Sequence, residues 1–461
     1  EYAVLAEQMD KEARQYKSLF ESQDQALEKQ QAEFTEKLAR AQKQEQTESE
    51  KQARKQKQKT YAKQLRAASK ALYLNEEVTR IVIDQHLIEA GWETDTETLT
   101  YKNGSRPEKG KNMAIAEWPT EHEGKKGYSD YVLFKGLTPM AVVEAKKENT
   151  NVAGKIGQAE RYSKGFDNDS TLIPAWQLEG RTIAWPVGEQ DHYHVPFVYS
   201  SNGRPFVKQL AEQSGILFRD VREHSNIARS IANFHSPQGL EDKLTRRKEA
   251  AQQKLQQEGF GYLKLRDYQE KAIRCVETAL AQDAQQCLLA MATGTGKTRT
   301  IIGLMYRFLK AERFKRILFL VDRTSLGTQA LDSFNEAPLE ESKPLSKIYN
   351  INELGDMAAE AETRIQVATV QAMVKRLFMS DTPPPVDEFD CIIVDEAHRG
   401  YTLDQEMTEG ELETRDAAQY LSSYRRVLDY FDATRIGLTA TPAKHTTEIF
   451  GKPVYTYSYP E

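Results

Sequence analysis

Cysteine is scarce in this chain, which contains three among its 461 residues. Cys275, Cys287 and Cys391 lie far apart and form no CxxC spacing. This usage argues against a structural zinc site and indicates a reducing cytosol. No apolar run approaches the roughly 18 to 20 residues that a membrane span needs, and no signal-peptide pattern opens the chain. We therefore expect a cytoplasmic protein that does not contact a membrane.

The sequence also lacks any excess of basic charge, since its formal net charge is −6 and 29% of its residues are charged. Composition thus neither supports nor excludes nucleic acid as a partner, and a path for DNA would have to be a local basic stripe. The length suits two or three domains of roughly 100 to 200 residues each. Because the chain starts without methionine and stops at PVYTYSYPE, we expect a fragment of a longer protein.

Proline and glycine are absent from residues 1–70, where apolar side chains recur at every seventh position. The recurring residues are Ala6, Ala13, Phe20, Leu27, Phe34 and Ala41. Such a row is half of a coiled-coil seam. We predict a helical or coiled-coil spacer over residues 1–70, and the pattern favours an exposed spacer over a specific dimerisation device.

Beyond residue 70 the pattern changes to that of two globular domains joined by a linker. Strand-like runs and turn clusters predict the first domain over 71–225, and a helical, charged stretch predicts a linker over 226–262. In residues 263–461, continuous apolar runs such as CLLAM, RILFLVD and CIIVDE alternate with helical patterns. That alternation predicts an α/β fold with a parallel sheet covered on both faces.

A glycine-rich loop in the last domain predicts a nucleotide site. The strand-like CLLA is followed by MATGTGKT, Met291 to Thr298, and then by a helical pattern. In this arrangement Lys297 reaches the β- and γ-phosphates of ATP, and the Thr298 hydroxyl binds Mg²⁺. Met291 departs from the GxxxxGK(S/T) pattern, which has glycine there. The other residues expected at the phosphates are Thr293, Gly294, Thr295 and Gly296.

A second acidic motif follows further along the chain, where the strand-like CIIV ends in Asp395, Glu396, Ala397 and His398. An aspartate at the carboxyl end of a strand can hold Mg²⁺, and the adjacent glutamate can orient and deprotonate an attacking water. We therefore assign Asp395 to the metal and Glu396 to catalysis.

A pair of acids in the first domain predicts a separate metal site. The strand-like YSDYVLF and MAVVEAK are separated by KGLTP, which suits a hairpin loop. If Phe134 pairs with Met140, then Asp130 lies opposite Glu144, and period-two alternation puts Lys146 on the same face. Opposed carboxylates repel unless a cation joins them, so we predict Mg²⁺ on Asp130 and Glu144, with Lys146 activating water or balancing charge. The alternative is a surface hairpin with an ordinary Glu-Lys pattern.

The motifs of the last domain resemble those of superfamily 2 helicases and translocases. MATGTGKT, DEAH and LTATP are similar to motifs I, II and III, and the match runs from Lys264 to the end of the chain. The resemblance implies a RecA-like lobe in which Gln269 of LRDYQ reads adenine and His398 belongs to the ATP site. The residues that it implies for coupling ATP to DNA, in segments resembling motifs Ia, Ib and III, are Arg323, Thr369, Thr439 and Thr441.

The same resemblance implies a second RecA-like lobe with an arginine finger, but nineteen residues follow Pro442 in this chain. Such a finger accelerates phosphoryl transfer by about 10³- to 10⁵-fold in related NTPases. We therefore expect this chain to bind ATP and to hydrolyse it poorly alone.

The acid pair resembles the PD-(D/E)XK nuclease core, with Asp130 as the first acid and EAK, Glu144 to Lys146, as the second motif. Tyr128 and Ser129 stand in place of the proline context. QAERY, which carries Gln158 and Tyr162, matches the QxxxY element of RecB-like and type I restriction nucleases. The resemblance implies that these two residues contribute to catalysis and that Glu77, in the preceding helix, assists.

A PD-(D/E)XK domain followed by a superfamily 2 motor is similar to the R subunit of type I restriction enzymes, from about Leu72 to the end. The resemblance implies ATP-driven translocation on double-stranded DNA, Mg²⁺-dependent cleavage, and a complex with modification (methyltransferase) and specificity subunits. S-adenosylmethionine would belong to those partners. Two alternatives stay open: a type III restriction or repair helicase-nuclease subunit, and a DNA-binding scaffold with an inactive nuclease site.

Overall fold

The computed structural model of the chain describes residues 76–146, 156–168, 170–188, 190–203, 215–321, 324–339, 343–352, 362–380, 383–397 and 417–458. The predicted spacer over residues 1–70 lies outside these ranges, and so do Arg323 and His398. Within them, no helix is long and apolar enough to cross a membrane.

Two large sheets, a separate two-stranded sheet and the helices around them make up the described chain, and residues Leu74–Glu461 form one compact unit. The helices are α1 (Glu76–Glu89), α2 (Ile156–Lys164), α3 (Ala175–Leu178), α4 (Pro237–Thr245), α5 (Lys248–Gln257), α6 (Asp267–Ala281), α7 (Lys297–Lys310), α8 (Thr324–Glu336), α9 (Leu345–Ile348), α10 (Val370–Phe378), α11 (Ala417–Tyr430) and α12 (Lys444–Phe450). The strands are β1 (Asn112–His122), β2 (Lys125–Lys135), β3 (Thr138–Ala145), β4 (Trp185–Val187), β5 (Asp191–Tyr193), β6 (Phe197–Ser201), β7 (Ile216–Asp220), β8 (Arg229–Ile231), β9 (Gln286–Met291), β10 (Ile317–Val321), β11 (Ile351–Asn352), β12 (Ile365–Thr369), β13 (Cys391–Val394), β14 (Thr434–Thr439) and β15 (Pro453–Tyr457).

The first sheet is mixed, in the order β1-β2-β3-β6-β7-β8, with β3 and β6 parallel and the other neighbours antiparallel. Successive residues of β2 enter cores on opposite faces. Leu133 joins the cluster that contains Leu87 of α1, whereas Phe134 packs with Trp118 and Phe166. Successive side chains of a strand point to opposite faces of the sheet, so β2 buries consecutive residues only because both faces are covered. This explains the continuous apolar run YVLF.

The hairpin between β2 and β3 corrects the predicted register near its loop. Phe134 pairs with Pro139, not with Met140, because the loop is only Gly136 and Leu137, and Gly136 takes a left-handed φ of 58°. A shift between Leu133 and Phe134 then restores the predicted register, so that Tyr131 pairs with Val143. Asp130 and Glu144, which lie one residue beyond this pair, are therefore opposite each other as predicted. The predicted pairing of Phe134 with Met140 at the loop was wrong.

The second sheet has seven strands, all parallel, in the order β11-β12-β10-β13-β14-β9-β15. Both of its faces are covered: Phe319 of β10 packs with Phe334 of α8, while its neighbours Leu318 and Leu320 join the cluster that contains Val427 of α11. The prediction of a parallel sheet between two layers of helices is confirmed. A strand, β8, also lies inside the segment predicted as a helical linker, and it forms the edge of the first sheet.

Candidate active sites

The hairpin of β2 and β3 brings the first pair of predicted acids together. Asp130 precedes Tyr131 on β2 and Glu144 follows Val143 on β3, and Tyr131 and Val143 are paired. The same register therefore places the two carboxylates opposite each other. Glu144 is buried in the middle of the sheet, with Ser200 of β6 as its neighbour on the other side.

Asp130 is held by two donors. Arg80 of α1 donates from Nη2 to Oδ1 at 2.7 Å, and the backbone N–H of Ala145 donates to Oδ2 at 2.8 Å. These bonds fix the orientation of the carboxylate and offset part of its charge. The sequence did not single out Arg80, because a basic residue on an amphipathic helix carries no signal of a partner fifty positions away.

Glu144 has one oxygen in contact with Lys146 and one without a partner. Lys146 Nζ contacts Oε1, so Lys146 does share the face of Glu144, as period two predicts. Oε2 is buried and has no hydrogen-bond partner among the described residues. Burial, followed by the charge of Asp130, raises the pKa of Glu144 to about 7, while Lys146 acts in the opposite direction.

These residues fit a divalent cation such as Mg²⁺. A buried carboxylate oxygen without a donor costs free energy, and a hard cation shared with a second carboxylate would satisfy it. Among the described residues, no group of three or more His, Cys, Asp or Glu is arranged to hold a metal. The pair would therefore leave most positions to water and phosphate oxygens, which is how Mg²⁺ commonly binds.

Glu117 is an unexpected neighbour of this pair. On β1 it lies between Ala116, paired with Tyr131, and Trp118, paired with Ser129, which puts it opposite Asp130. Its φ is 55°, a left-handed conformation that costs a non-glycine residue on the order of 1 kcal/mol or more. Its Oε1 lies 3.6 Å from Arg80 Nη1. Sequence reasoning missed Glu117, since no motif marks backbone strain inside a strand.

Gln158 and Tyr162 lie one turn apart on α2, and Gln158 Nε2 donates to Tyr162 Oη at 2.7 Å. Among the described residues, no hydrogen bond joins either of them to Asp130, Glu144 or Lys146. The Tyr162 ring instead packs over Gly127 of β2, where a Cβ would lie 3.2 Å from Cε1. The structure thus brings the QxxxY pair together, and its catalytic part stays a prediction.

A basic pocket of about 320 Å³ opens beside this pair. Its lining residues are Thr120, His122, Lys125, Lys126, Gly127, Arg161 and Tyr162. His122 bonds Asp191, which Lys164 also contacts at 2.9 Å. Lys125, Lys126 and Arg161 form no ion pair with a carboxylate inside the described ranges, so the pocket presents uncompensated positive charge.

The predicted phosphate loop joins β9 to α7. Gly294 and Gly296 both take a left-handed φ of 77°, which glycine adopts without strain, and Lys297 is the first residue of the helix. Thr293 and Gly294 are exposed at the loop, Thr298 is half-buried, and the Thr295 hydroxyl donates to Ala292 O at 2.6 Å. Backbone N–H groups at such a helix start favour anions.

Lys297 and Glu396 meet at this loop. Lys297 Nζ lies 2.6 Å from Glu396 Oε1, and the lysine is buried. Glu396 takes a left-handed φ of 48°, and its N–H donates to Asp395 Oδ1 at 2.9 Å. Asp395 follows Lys297 by 98 positions in the sequence. The fold nevertheless brings the phosphate loop and the two acids together in one site.

Gln269 contacts the phosphate loop itself. Its Nε2 donates to Thr295 O at 3.0 Å and to Gly296 O at 3.1 Å, while its Oε1 accepts from Arg266 N. A Cβ at position 296 would lie 2.6 Å from Gln269 Nε2, so only glycine permits this contact. Gln269 thus supports the loop, and its reading of adenine stays a prediction.

Among the residues predicted to couple ATP to DNA, the three described threonines make local contacts. Thr369 caps α10 by accepting from Ala372 N at 3.2 Å. The buried Thr439 hydroxyl donates to Thr441 O at 3.1 Å and accepts from Thr441 N at 3.2 Å. Their contact with DNA stays a prediction.

Two families of known proteins match successive parts of this chain. Residues 93–244 match the family described as "Type I restriction enzyme EcoKI endonuclease subunit second domain", and residues 262–444 match "Type III restriction enzyme, res subunit". The EcoKI endonuclease subunit of Escherichia coli strain K12 is 47% identical over 415 residues, which cover 87% of this chain and 35% of that protein. The chain belongs to the family of type I restriction enzyme endonuclease subunits.

Two further proteins are similar to this chain. The type I endonuclease subunit EcoAI of Escherichia coli is 30% identical over 72% of this chain and 36% of that protein. A solved fragment assigned to the HsdR subunit of a type I enzyme from Vibrio vulnificus YJ016 is 24% identical, covers 84% of this chain and 60% of that one, and superposes with a TM-score of 0.29. The chain spans about a third of the length of the EcoKI and EcoAI proteins.

Neutralising Glu144 is expected to stabilise the metal-free protein at alkaline pH. The folded pKa of about 7 exceeds the ordinary value of 4.5, so the wild type loses stability as pH rises between these values and then levels off. Glu144→Gln should therefore gain on the order of 2 kcal/mol over wild type at about pH 8 and little at about pH 5. Urea unfolding at both pH values measures the difference.

The matched control is Glu97→Gln, which makes the same chemical change at an exposed position. Mg²⁺ should raise the stability of the wild type at about pH 8 and leave Glu144→Gln unchanged. An equal response of both proteins to Mg²⁺ would remove Glu144 from the metal site.

Proposed function

We propose that this chain is the nuclease-and-motor part of a type I restriction endonuclease subunit, which translocates double-stranded DNA with ATP and cleaves it with Mg²⁺. The observation that carries the proposal is the opposition of Asp130 and Glu144, with Lys146 on the same face and a buried oxygen left without a donor. Family membership supports it. We place the work of the whole protein in the cytoplasm.

The first domain would be a PD-(D/E)XK nuclease core. Asp130 and Glu144 would hold Mg²⁺, which when bound lowers the pKa of water and neutralises charge on a phosphate. Arg80 keeps the Asp130 carboxylate in place, and Lys146 brings a positive charge to the same face. Gln158 and Tyr162 would orient the DNA strand beside the basic pocket.

The second domain would bind ATP. Lys297 would exchange its contact with Glu396 for the β- and γ-phosphates, which frees Glu396 to orient and deprotonate water. Thr298 and Asp395 would hold the accompanying Mg²⁺, and Gln269 and His398 would complete the site. Because the arginine finger would come from a second lobe, we expect weak hydrolysis from this chain alone.

The proposed activity belongs to an assembly. Modification and specificity subunits would choose the DNA site and bind S-adenosylmethionine, while this chain would supply force and cleavage. The match of residues 262–444 to a type III family favours a type III subunit as the second candidate for the motor. The match of residues 93–244 to a type I domain, placed before the motor, favours the first.

Asp130→Ala and Lys297→Ala separate the two proposed activities. In the complete complex, Asp130→Ala should lower DNA cleavage by about a hundredfold or more, because the metal loses a ligand, and should leave ATP hydrolysis and translocation intact. Lys297→Ala should abolish all three. ATPase, triplex-displacement and plasmid-cleavage assays on one preparation measure them, with Glu97→Ala as control.

A loss of translocation in Asp130→Ala would contradict this division of labour. Cleavage that survives in both Asp130→Ala and Glu144→Ala would instead favour the scaffold with an inactive nuclease site.

The basic pocket supports a DNA contact next to the proposed nuclease site. Lys126 precedes Asp130 by four residues on β2, which places it about 13 Å away at roughly 3.3 Å per residue. Replacing Lys125 and Lys126 by glutamate should weaken DNA binding of the complex and make its salt dependence shallower by about one unit for each phosphate that the protein no longer neutralises. The control is Lys102→Glu, an exposed lysine elsewhere. An unchanged salt slope would exclude the pocket from the DNA path.

A further inference from the structure

The two domains meet through a buried carboxylate, Asp432, which lies two residues before β14 of the second sheet. It accepts from Arg229 Nε and Nη2, both at 2.8 Å, from His235 Nε2 at 2.7 Å and from Lys243 Nζ at 2.9 Å. All three donors come from the end of the first domain and from α4. Burial would raise the pKa of Asp432, but the charges of Arg229 and Lys243 hold it well below its usual range.

A second aspartate of the motor domain, Asp387, fixes the start of α4. It accepts from Ser236 N at 2.6 Å and from Ser236 Oγ at 2.5 Å, next to the helix N-terminus. Gly239 lies over the same carboxylate so closely that a Cβ there would overlap it. Only glycine therefore lets α4 approach the motor domain this far. We call Arg229, His235, Ser236, Lys243, Asp387 and Asp432 the interdomain joint.

From the joint, hydrogen bonds continue into the nuclease sheet. His235 is fully buried, and its Nδ1 lies 2.7 Å from Tyr199 Oη. A neutral His235 that donates from Nε2 to Asp432 accepts at Nδ1 from the Tyr199 hydroxyl. Tyr199 belongs to β6, where it pairs with Val143, and the next residue pairs with Glu144. The hydrogen bonds that start at the joint therefore reach β6, the strand next to the one that carries Glu144.

On the motor side, β14 connects the joint to the ATP site. Its first residue, Thr434, follows Asp432 by two positions, and near its other end Leu438 O accepts from Ala397 N at 2.7 Å. Ala397 directly follows Glu396, the residue proposed to act on water at ATP. β14 therefore begins beside the interdomain joint, and near its other end it contacts the turn that carries the acids of the ATP site.

We propose that Asp432 is a positioning residue for DNA cleavage: through the interdomain joint it holds the nuclease site at a fixed distance and angle from the ATP-binding lobe. The inference rests on the proposed function. A motor can translocate DNA without a nuclease domain. The DNA that leaves the motor reaches Asp130 and Glu144, however, only if the two domains keep one relative arrangement. The joint supplies that arrangement with ion pairs and hydrogen bonds that converge on the Asp432 carboxylate, whose side chain is 8% exposed.

The test uses the complete complex and three variants, called the joint variants, that change the interdomain joint or a residue in contact with it. Gly239→Ala forces α4 away from Asp387, Asp432→Asn removes the buried charge, and Tyr199→Phe removes only the bond to His235. Each should lower ATP-dependent DNA cleavage, by about tenfold for the first two and less for Tyr199→Phe, while ATP hydrolysis and translocation stay within about twofold of wild type. Gly259→Ala, where a Cβ meets nothing within 4 Å, is the matched control.

The ratio of cleavage to translocation decides between positioning and mere stability. A selective fall of this ratio in the joint variants, with the Mg²⁺-induced rise in melting temperature retained, supports the proposal. Unchanged cleavage in Asp432→Asn, or cleavage and translocation falling together, overturns it. If Gly239→Ala does not fold, Tyr199→Phe gives the decision, since its ring still fills the core. Absence of cleavage in the wild-type complex would count against the proposed function, not against the joint.

Discussion

The first domain has to accommodate two carboxylates, Asp130 and Glu144, that lie opposite each other on neighbouring strands. Like charges placed directly opposite destabilise a sheet, and here one of them is also buried. The chain answers each with its own cation: Arg80 reaches Asp130 from α1, and Lys146 contacts Glu144 from the end of β3. Burial and the charge of Asp130 still raise the pKa of Glu144, because the charge of Lys146 offsets them only in part. A purely structural pair would have satisfied its last oxygen, so the arrangement favours a site.

The site could be predicted from the sequence where its parts are local or periodic. Period two carries side-chain direction along a strand, so Asp130, Glu144 and Lys146 follow from one hairpin. The pairing of Phe134 with Met140 was wrong because loop geometry, here a two-residue turn at Gly136, is decided by backbone φ and not by apolar pattern. The shift that corrects it lies between the loop and the acids, which is why the error did not reach them.

Contacts between distant residues could not be predicted in this way. LRDYQ marks Gln269, but not that both ends of its amide are used on Arg266 and the phosphate loop. Nothing in the sequence links Asp432 to His235, since both are polar residues between apolar runs. Burial converts such residues from solvated charges into fixed partners, and burial depends on the packing of the whole chain. The parallel sheet was predictable because its strands are apolar throughout.

The proposed metal site has few protein ligands, and this affects when the nuclease can act. Two carboxylates, one with a pKa near 7 and already in contact with a lysine, would hold a divalent cation less firmly than a full set of protein ligands. A phosphate oxygen delivered by DNA would complete the coordination and draw Glu144 into its ionised form. On the proposed function, cleavage then depends on DNA lying across the hairpin, and the interdomain joint decides whether DNA leaving the motor lies there. Binding chemistry and domain geometry would thus restrain the nuclease together, because neither alone brings metal, phosphate and water to the same point.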